Sequence, residues 1–227
     1  MLRAVIFDFN GIIVDDEPIH FELFQRVLHE EGIALSEDDY YERYLGFDDR
    51  GAFTNIYREL KRALDDGKLS RLIDRKALYY QEAIAKKMNV FPGVAQLISS
   101  LSKSLPLAIA SGALRHEIDT ILIGLKLQPY FRVIVSSEDV KAGKPAPEIF
   151  LTALARLNAQ PGTRGKIEAA DCLVIEDSRE GIRGARRAGM KCLAVTNSHP
   201  AASLQEANAV VNSLETVSLS YLENLCA

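Results

Sequence analysis

The stretch AVIFDFNGII, residues 4–13, is the part of this sequence that decides the fold. It begins with four apolar residues in a row and then changes abruptly to Asp8, Asn10 and Gly11, with only Phe9 between. A short apolar run without polar alternation is typical of a strand that is covered on both faces, as in a parallel sheet. A polar residue directly after such a strand lies where open α/β sheets bind their ligands. The sequence therefore predicts a buried first strand that ends at a functional site.

Apolar runs of the same kind recur along the chain, and helical patterns lie between most of them. The further runs are residues 105–110, 133–135, 172–175, 192–195 and 209–211. Helices are expected over residues 116–125, 147–157 and 178–189. Strands that alternate with helices are typical of parallel sheets. The sequence therefore predicts the α/β fold class, with a doubly wound, Rossmann-like parallel sheet.

The stretch between the first two runs has a different character, because no strand pattern is evident in it. Pro18 suits a first helical turn, and the apolar residues after it recur at helical spacing until Gly32. Further helices are expected over residues 37–44, 51–64 and 69–88. An all-helical block inside an α/β sheet indicates an inserted domain, which often covers an active site. We therefore expect an α/β core domain of residues 1–14 and 92–227, and an inserted helical cap domain of residues 15–91.

The composition argues against several classes of protein. The 227 residues carry a net charge of −4, and 48 % of them are hydrophobic. No block of Lys and Arg is present, which argues against nucleic acid or a membrane surface as a partner. No apolar run is long enough to span a bilayer, and the first ten residues do not resemble a secretion signal. Three cysteines without metal-ligand spacing indicate free thiols, so we expect a cytoplasmic protein. We expect it to be a monomer or a weak homodimer.

Polar and charged residues follow the apolar runs at their carboxyl ends. Asp8 follows the first run, Ser111 the second, and Glu176 with Asp177 the fourth, while Lys144 lies in the loop after the third. Any one of these residues alone would more often cap a helix or lie in solvent. Because the carboxyl ends of parallel strands meet at one edge of a sheet, together they predict a binding site there. Crowded carboxylates are costly without a cation, so Mg²⁺ held by oxygen ligands is the expected completion.

Four motifs, in this order, carry a resemblance to a known superfamily. They are FDFNGIIVDDEP (7–18), IASGALR (109–115), KAGKPAPEIF (141–150) and VIEDSREGIRGARRAGM (174–190). The chain resembles the haloacid-dehalogenase-like superfamily, in the subgroup with a helical cap after the first strand, which includes β-phosphoglucomutases and phosphoglycolate-type phosphatases. The resemblance covers essentially the whole chain. It implies a phosphatase that acts on a small-molecule phosphate ester, or else a phosphotransferase of the β-phosphoglucomutase kind.

The resemblance also implies a role for each residue of the predicted site. Asp8 would be the nucleophile and would form an aspartyl-phosphate. Ser111 and the backbone N–H of Gly112 would hold phosphate oxygens. Lys144 would neutralise the phosphate and the nucleophile while both are packed together.

The same resemblance implies a Mg²⁺ site. Its ligands would be Asp8, the backbone carbonyl of Asn10, and Asp177, with Glu176 beside Asp177 or bound through water. The metal would let an anionic carboxylate approach an anionic phosphate.

In the cap, the resemblance places Arg50 where relatives often present a substrate-reading loop, and His20 and Lys76 where mutase-like members carry polar residues, which implies that all three bind substrate. For each of the three, an exposed helix or loop residue is at least as good an interpretation. The substrate itself is not readable from the motifs, because pocket specificity lies in cap side chains that no motif defines.

Position 10 departs from the family pattern. Phosphatases and mutases of the superfamily usually carry Asp there, which protonates the leaving oxygen and then activates water or the next hydroxyl. The amide of Asn10 cannot exchange a proton at neutral pH, and general acid–base help is typically worth about 10²–10⁴-fold. Positioning and electrostatics carry much of a phosphoryl transfer. We therefore expect activity to be weakened rather than lost, and least so for good leaving groups such as acyl or aryl phosphates.

Four explanations of Asn10 are open. The protein is a slow or specialised phosphohydrolase in which His20, Asp16 or Glu17 handles protons, or it is a phosphate-binding member without catalysis. A dehalogenase, whose halide leaving group needs no proton, is disfavoured because such enzymes dispense with metal while the acid pair at 176–177 is intact. The sequence Asn-Gly is prone to deamidation, so a fraction of the molecules could carry Asp at position 10. A phosphohydrolase is favoured over a mutase, which must protonate and deprotonate sugar hydroxyls in both directions.

Overall fold

The computed structural model describes residues 1–45, 47, 49–84, 89–162 and 165–227. The chain divides into two compact units, one of Met1–Asp15 with Met88–Ala227 and one of Asp16–Lys87. The strands are β1 (Ala4–Phe7), β2 (Val14–Asp15), β3 (Asn89–Val90), β4 (Leu107–Ala110), β5 (Phe131–Val135), β6 (Cys172–Glu176), β7 (Lys191–Val195) and β8 (Ala209–Val211). The α-helices are α1 (Glu17–Glu30), α2 (Glu37–Asp39), α3 (Asp49–Glu59), α4 (Asp66–Ile84), α5 (Val94–Leu101), α6 (Arg115–Gly124), α7 (Glu148–Asn158), α8 (Arg179–Arg187) and α9 (Leu219–Leu225).

Six strands of the first unit form one parallel sheet in the order β5-β4-β1-β6-β7-β8. β1 lies between β4 and β6, and all four of its residues are fully buried, as the continuous apolar run predicts. The register pairs Phe7 with Ile109 on one side and with Ile175 on the other, so these strands end nearly level. The predicted α/β fold with a doubly wound parallel sheet is confirmed. The strand order reverses direction at β1, and such a reversal is where these sheets bind ligands.

Helices of the first unit pack against this sheet. The predicted helices over residues 116–125, 147–157 and 178–189 agree with α6, α7 and α8 to within two residues at each end. Ile149 and Phe150 of α7 and Ile182 of α8 belong to the same buried cluster as the strand residues. The stretches that form α5 and α9 carried no helix prediction. The core that supports the sheet edge is therefore built from helices whose apolar faces were readable in the sequence.

In the second unit, α1, α3 and α4 pack around buried aromatic and aliphatic side chains that include Phe24 and Phe53. α2 continues into a π-helical turn over Tyr40–Tyr44. α3 ends at Glu59, earlier than predicted, because Lys61 adopts a left-handed backbone conformation with φ of 51°. α4 covers the described part of the helix predicted over residues 69–88, of which residues 85–88 lie outside the described residues.

The expectation that residues 15–91 contain no strand is wrong at both ends of that stretch. β2 and β3 pair antiparallel, Val14 with Val90 and Asp15 with Asn89. A two-residue pair has no periodicity of its own, so only the long-range contact between the two segments makes them strands. Among the helices of the described residues, none combines the length and the apolar character needed to cross a bilayer.

Candidate active site

Three neighbouring strands of the sheet each lead into a polar side chain at the same edge. Asp8 follows β1, Ser111 follows β4, and Glu176 is the last residue of β6. The amide of Asp8 donates to the carbonyl of Ile175 (2.9 Å), and the amide of Ser111 donates to the carbonyl of Val135 (3.0 Å). The sheet hydrogen bonds thus continue one residue past the strands and hold these backbones in place. All three polar side chains are buried.

Lys144 connects two carboxylates of this edge. Its Nζ donates to Asp8 Oδ1 and to Glu176 Oε1, both at 2.6 Å. The Lys144 side chain is 13 % exposed, so solvent screens these ion pairs little. Burial lowers the pKa of the Lys144 ammonium, but the charges of Asp8 and Glu176 outweigh burial and hold that pKa above its ordinary value. Lys144 is therefore a permanent positive charge beside Asp8.

Glu176 is held in place by the start of α8. Its Oε2 accepts hydrogen bonds from the amides of Asp177 (2.9 Å) and Ser178 (2.8 Å) and from the hydroxyl of Ser178 (2.8 Å). Ser178 also caps α8, since its Oγ accepts from the amide of Gly181 (3.0 Å). A Cβ at Gly181 would lie 1.7 Å from Glu176 Oε1. The helix can therefore approach this carboxylate only because residue 181 has no side chain.

Asp8, Glu176 and Asp177 form a buried group of carboxylates, with one oxygen of each within 4.8 Å of the others. Burial raises the pKa of Asp8 to about 7, against the opposing effect of Lys144. Burial, and then the charges of Glu176 and Asp8, raise the pKa of Asp177 well above its ordinary value. The ammonium of Lys144 contacts two of these three carboxylates. A group with this excess of buried negative charge and only oxygen donors fits a Mg²⁺ ion.

Ser111 lies beside Asn10. Its hydroxyl donates to Asn10 Oδ1 (3.4 Å) and accepts from the amide of Ala113 (3.0 Å). Gly112 is exposed, and a Cβ there would meet no heavy atom within 4 Å. The predicted residues that the structure brings together at this edge of the sheet are Asp8, Asn10, Ser111, Gly112, Lys144, Glu176 and Asp177.

Two polar residues of this edge were missed in the sequence. Asn197 Nδ2 donates to the carbonyl of Gly11 (2.6 Å), and the hydroxyl of Ser198 donates to Asp177 Oδ2. Gly11 itself has φ of 76°, and a Cβ on it would lie 1.9 Å from Asp177 Oδ2. The signal that could have found Asn197 and Ser198 is the one used for the other strands, namely polar residues directly after an apolar run, here CLAV (192–195).

The cap residues predicted to contact substrate lie in the second unit. Lys76 is 1 % exposed; its Nζ donates to Asp49 Oδ1 (2.6 Å) and lies 2.8 Å from His20 Nδ1. His20 Nε2 lies 3.2 Å from Asp16 Oδ2. Arg50 is exposed, at the start of α3. The structure thus brings His20 and Lys76 into one polar cluster, and Lys76 is a buried residue rather than the exposed helix residue of the alternative interpretation. A contact of the three residues with substrate stays a prediction.

Comparisons with known proteins agree with this fold. The family described as haloacid dehalogenase-like hydrolase matches residues 5–195. A phosphatase of Thermotoga maritima named for phosphorylated carbohydrates is 33 % identical over 193 residues, which cover 84 % of this chain and 83 % of that protein. The β-phosphoglucomutase of Bacillus subtilis is 29 % identical over 204 residues, which cover 88 % of this chain and 85 % of that protein.

Solved structures show the same similarity. The crystal structure of a putative β-phosphoglucomutase from Thermotoga maritima superimposes with a TM-score of 0.79 at 30 % identity, covering 98 % of this chain and 99 % of that one. A structure of CbbY from Rhodobacter sphaeroides in complex with phosphate has a TM-score of 0.83 at 21 % identity, covering 98 % of this chain and 100 % of that one, and so supports the fold alone. The resemblance read from the four motifs is confirmed.

Proposed function

This chain belongs to the haloacid dehalogenase-like hydrolase family, and we propose that it is a Mg²⁺-dependent phosphatase of a small phosphorylated carbohydrate. The observation that supports this most directly is Lys144, whose Nζ contacts both Asp8 and Glu176 at 2.6 Å. A carboxylate can attack an anionic phosphate only where positive charge offsets their repulsion. The names of two similar proteins, a phosphatase of phosphorylated carbohydrates and a β-phosphoglucomutase, support a sugar phosphate as the substrate class.

The proposed reaction has two steps at Asp8. A carboxylate oxygen of Asp8 forms a bond to phosphorus while the bond from phosphorus to the leaving oxygen breaks. Water then attacks the phosphorus of the aspartyl-phosphate and loses a proton, and Asp8 and inorganic phosphate are released. Throughout, Lys144 neutralises the nucleophile and the phosphate, and the Ser111 hydroxyl and the Gly112 amide hold phosphate oxygens. Asp8, Asp177 and the Asn10 carbonyl would hold Mg²⁺, with Glu176 beside Asp177 or bound through water, and the metal would supply further positive charge to the phosphate.

Asn10, in place of the usual Asp, limits the rate of this reaction. Its side-chain amide neither gives a proton to the leaving oxygen nor takes one from water, so that proton comes from solvent or from another side chain such as His20, Asp16 or Glu17. The enzyme is therefore slow, or specialised for leaving groups that depart readily without a proton.

We further propose that the helical unit of residues 16–87 is a cap domain and that Arg50, His20 and Lys76 are its substrate-binding residues. The division into a core domain and an inserted cap is supported by the two compact units. The cytoplasmic location and the monomeric or weakly dimeric state stay predictions.

The test is Mg²⁺-dependent phosphate release from an aryl phosphate and from a panel of sugar phosphates. The protein is compared with Asn10→Asp and Asp8→Asn, and intact mass confirms that position 10 of the unaltered protein is not deamidated. We expect slow release by the unaltered protein and faster release by Asn10→Asp, by up to about 10²–10⁴-fold on poor leaving groups. Asp8→Asn is expected to lose both turnover and any covalent phosphoryl intermediate. Full activity in Asp8→Asn would place the chemistry elsewhere.

A second candidate function is a phosphate-binding protein without turnover, and Asn10 is the observation that favours it. The acid-base side chain is replaced there, while the residues predicted to contact phosphate and metal are retained. In that case phosphate release would appear only in Asn10→Asp, and the unaltered protein would bind sugar phosphates without converting them. A phosphotransferase of the β-phosphoglucomutase kind would instead interconvert sugar phosphates without net release of phosphate.

A further inference from the structure

The turn after β7, residues 196–198, reaches two parts of the site at once. The hydroxyl of Ser198 donates to Asp177 Oδ2, and Asn197 Nδ2 donates to the carbonyl of Gly11 at 2.6 Å. Asp177 belongs to the segment after β6 and Gly11 to the segment after β1. Two adjacent side chains of the β7 turn therefore hold both segments that carry the proposed Mg²⁺ ligands.

The β7 turn is itself anchored to the neighbouring strand. The amide of Thr196 donates to the carbonyl of Val211 (3.0 Å), the last residue of β8. The hydroxyl of Thr196 donates to Asn212 Oδ1 (3.2 Å), directly after that strand. Asn197 and Ser198 are thus presented from a support that belongs to the sheet, and side chains on such supports hold their partners in one geometry.

Close packing restricts Asp177 further. A Cβ on Gly11 would lie 1.9 Å from Asp177 Oδ2 and 2.6 Å from its Cγ, so the backbone of Gly11 abuts the carboxylate. The same Oδ2 atom accepts the hydrogen bond from Ser198. The backbone of Gly11 therefore restricts the Asp177 carboxylate, and the Ser198 hydroxyl orients it. Asn197 in turn holds the backbone of Gly11.

We infer that the β7 turn is a positioning element for metal binding, in which Ser198 orients Asp177 and Asn197 holds the loop that carries the Asn10 carbonyl. The inference rests on the proposed function, since it presumes that Asp177 binds Mg²⁺. Hydrogen-bond partners of metal ligands typically change metal affinity by about 10–100-fold when they are removed. Ser198 is a positioning residue rather than a catalytic one, because its contact is with Asp177.

The test is the affinity of the full chain for Mg²⁺ and for Mn²⁺, measured by calorimetry without substrate. Ser198→Val and Ser198→Thr form a matched pair, because the two side chains have nearly the same shape and only Thr keeps a hydroxyl. We expect about 10–100-fold weaker binding in Ser198→Val and near-normal binding in Ser198→Thr. Thr120→Val is the control: it exchanges a hydroxyl for a methyl group on α6, where that hydroxyl donates to the carbonyl of His116 (2.7 Å), so it should leave the affinity unchanged.

The outcomes separate the inference from the proposed function. If neither cation binds to the unaltered protein, or if Asp177→Ala binds as well as the unaltered protein, the proposed metal site is wrong. If the unaltered protein binds, Asp177→Ala does not, and Ser198→Val matches Ser198→Thr, then the β7 turn does not position the ligand and the inference fails. Thermal unfolding of each variant shows that it is folded, and Ser198→Ala replaces the Val variant if that one is not.

Discussion

Asp177 shares its buried surroundings with two further carboxylates, those of Asp8 and Glu176. Burial and these charges raise the pKa of Asp177, so its ionisation costs more free energy in the folded protein than in the unfolded chain. Between the ordinary carboxyl pKa, about 4, and the raised one, the folded state binds more protons than the unfolded state. Stability contributed by this group is therefore full at acid pH and is lost as the pH rises.

We accordingly expect Asp177→Asn to stabilise the protein at about pH 8 in the presence of a chelator, because the amide does not ionise. The expected rise in Tm is at least about 2–4 °C, the shift that about 1 kcal/mol produces in a chain of this size. The gain should shrink as the pH falls and vanish below about pH 3, where Asp177 is protonated in both states. Thermal unfolding followed by circular dichroism across this pH range is the measurement, with the exposed Asp38→Asn as control.

If Mg²⁺ binds as proposed, its addition should reverse the order of stability of the unaltered protein and Asp177→Asn. Mg²⁺ in excess should raise the Tm of the unaltered protein, because a ligand that binds the folded state alone stabilises it. Asp177→Asn should gain much less. If Asp177→Asn is no more stable than the unaltered protein in the chelator, the neighbouring carboxylates do not repel Asp177. If Mg²⁺ also raises the Tm of both proteins equally, Asp177 is not a metal ligand.

At the scale of elements, the position of α8 depends on Gly181 having no side chain. Gly181 lies where a Cβ would be 1.7 Å from Glu176 Oε1, the atom that accepts from Lys144. Gly181→Ala should therefore lower the free energy of unfolding by about 1–3 kcal/mol through overpacking, although alanine by itself favours a helix. It should also lower phosphate release, because Glu176 has to move.

The matched control for this helix is Gly124→Ala at the end of α6. A Cβ at Gly124 meets no heavy atom within 4 Å, so that variant should be as stable as the unaltered protein or slightly more so. Urea unfolding of both variants is the measurement. Equal stability of the Gly181 and Gly124 variants would mean that α8 can shift without cost.

α4 buries a charged residue in the second unit. The Lys76 side chain is 1 % exposed, and its Nζ lies 4.3 Å above the ring of Phe24 in addition to its contacts with Asp49 and His20. Lys76→Ala should lower the free energy of unfolding by about 2–4 kcal/mol, since it leaves a cavity and unpaired polar partners. Lys76→Met, which keeps most of the volume, separates the two causes.

Lys68, on the same helix, is the control for charge alone. It is 33 % exposed and pairs with Glu31 at 2.8 Å, so Lys68→Ala should cost less than about 1 kcal/mol. Chemical denaturation of the three variants is the measurement. A Lys76→Ala variant as stable as Lys68→Ala would show that the buried polar cluster contributes no more than a surface pair.

At the scale of the whole molecule, the segments that lead out of the first unit and back into it pair with each other. The chain leaves the first unit through β2 and returns through β3, and Asp15 pairs directly with Asn89. The strands and the buried cluster of the sheet are supplied by residues outside 16–88. The first unit thus has its own core and two chain ends that already lie side by side.

Replacing residues 16–88 by the two-residue hairpin turn Asn-Gly should therefore leave a folded α/β unit. We expect cooperative thermal unfolding and stabilisation by Mg²⁺, because the site at the sheet edge lies in this unit. Circular dichroism and calorimetry are the measurements, with Asp177→Asn in the shortened chain as control for the metal effect. A shortened chain that lacks a cooperative transition would show that the sheet depends on the helical unit.

Much of this molecule could be predicted from the sequence, because the relevant signals are local. A continuous apolar run marks a strand covered on both faces, and in a parallel sheet the carboxyl ends share one edge. That rule alone places Asp8, Ser111, Glu176 and Asp177 together without any knowledge of distances. The same signal follows β7, and applying it there would have found Asn197 and Ser198.

Only the tertiary structure decided which atoms meet. Lys144 and Asp8 are 136 positions apart, and neither periodicity nor spacing states that one ammonium contacts two carboxylates. The β2–β3 pairing and the burial of Lys76 likewise depend on contacts between distant segments, for which local patterns carry no information. The sequence by itself determined that the chain forms a parallel sheet, the order of the motifs along the chain, and the edge of the sheet where chemistry is expected. The directions of the side chains, and hence the contacts that set charge and orientation at that edge, were decided by packing.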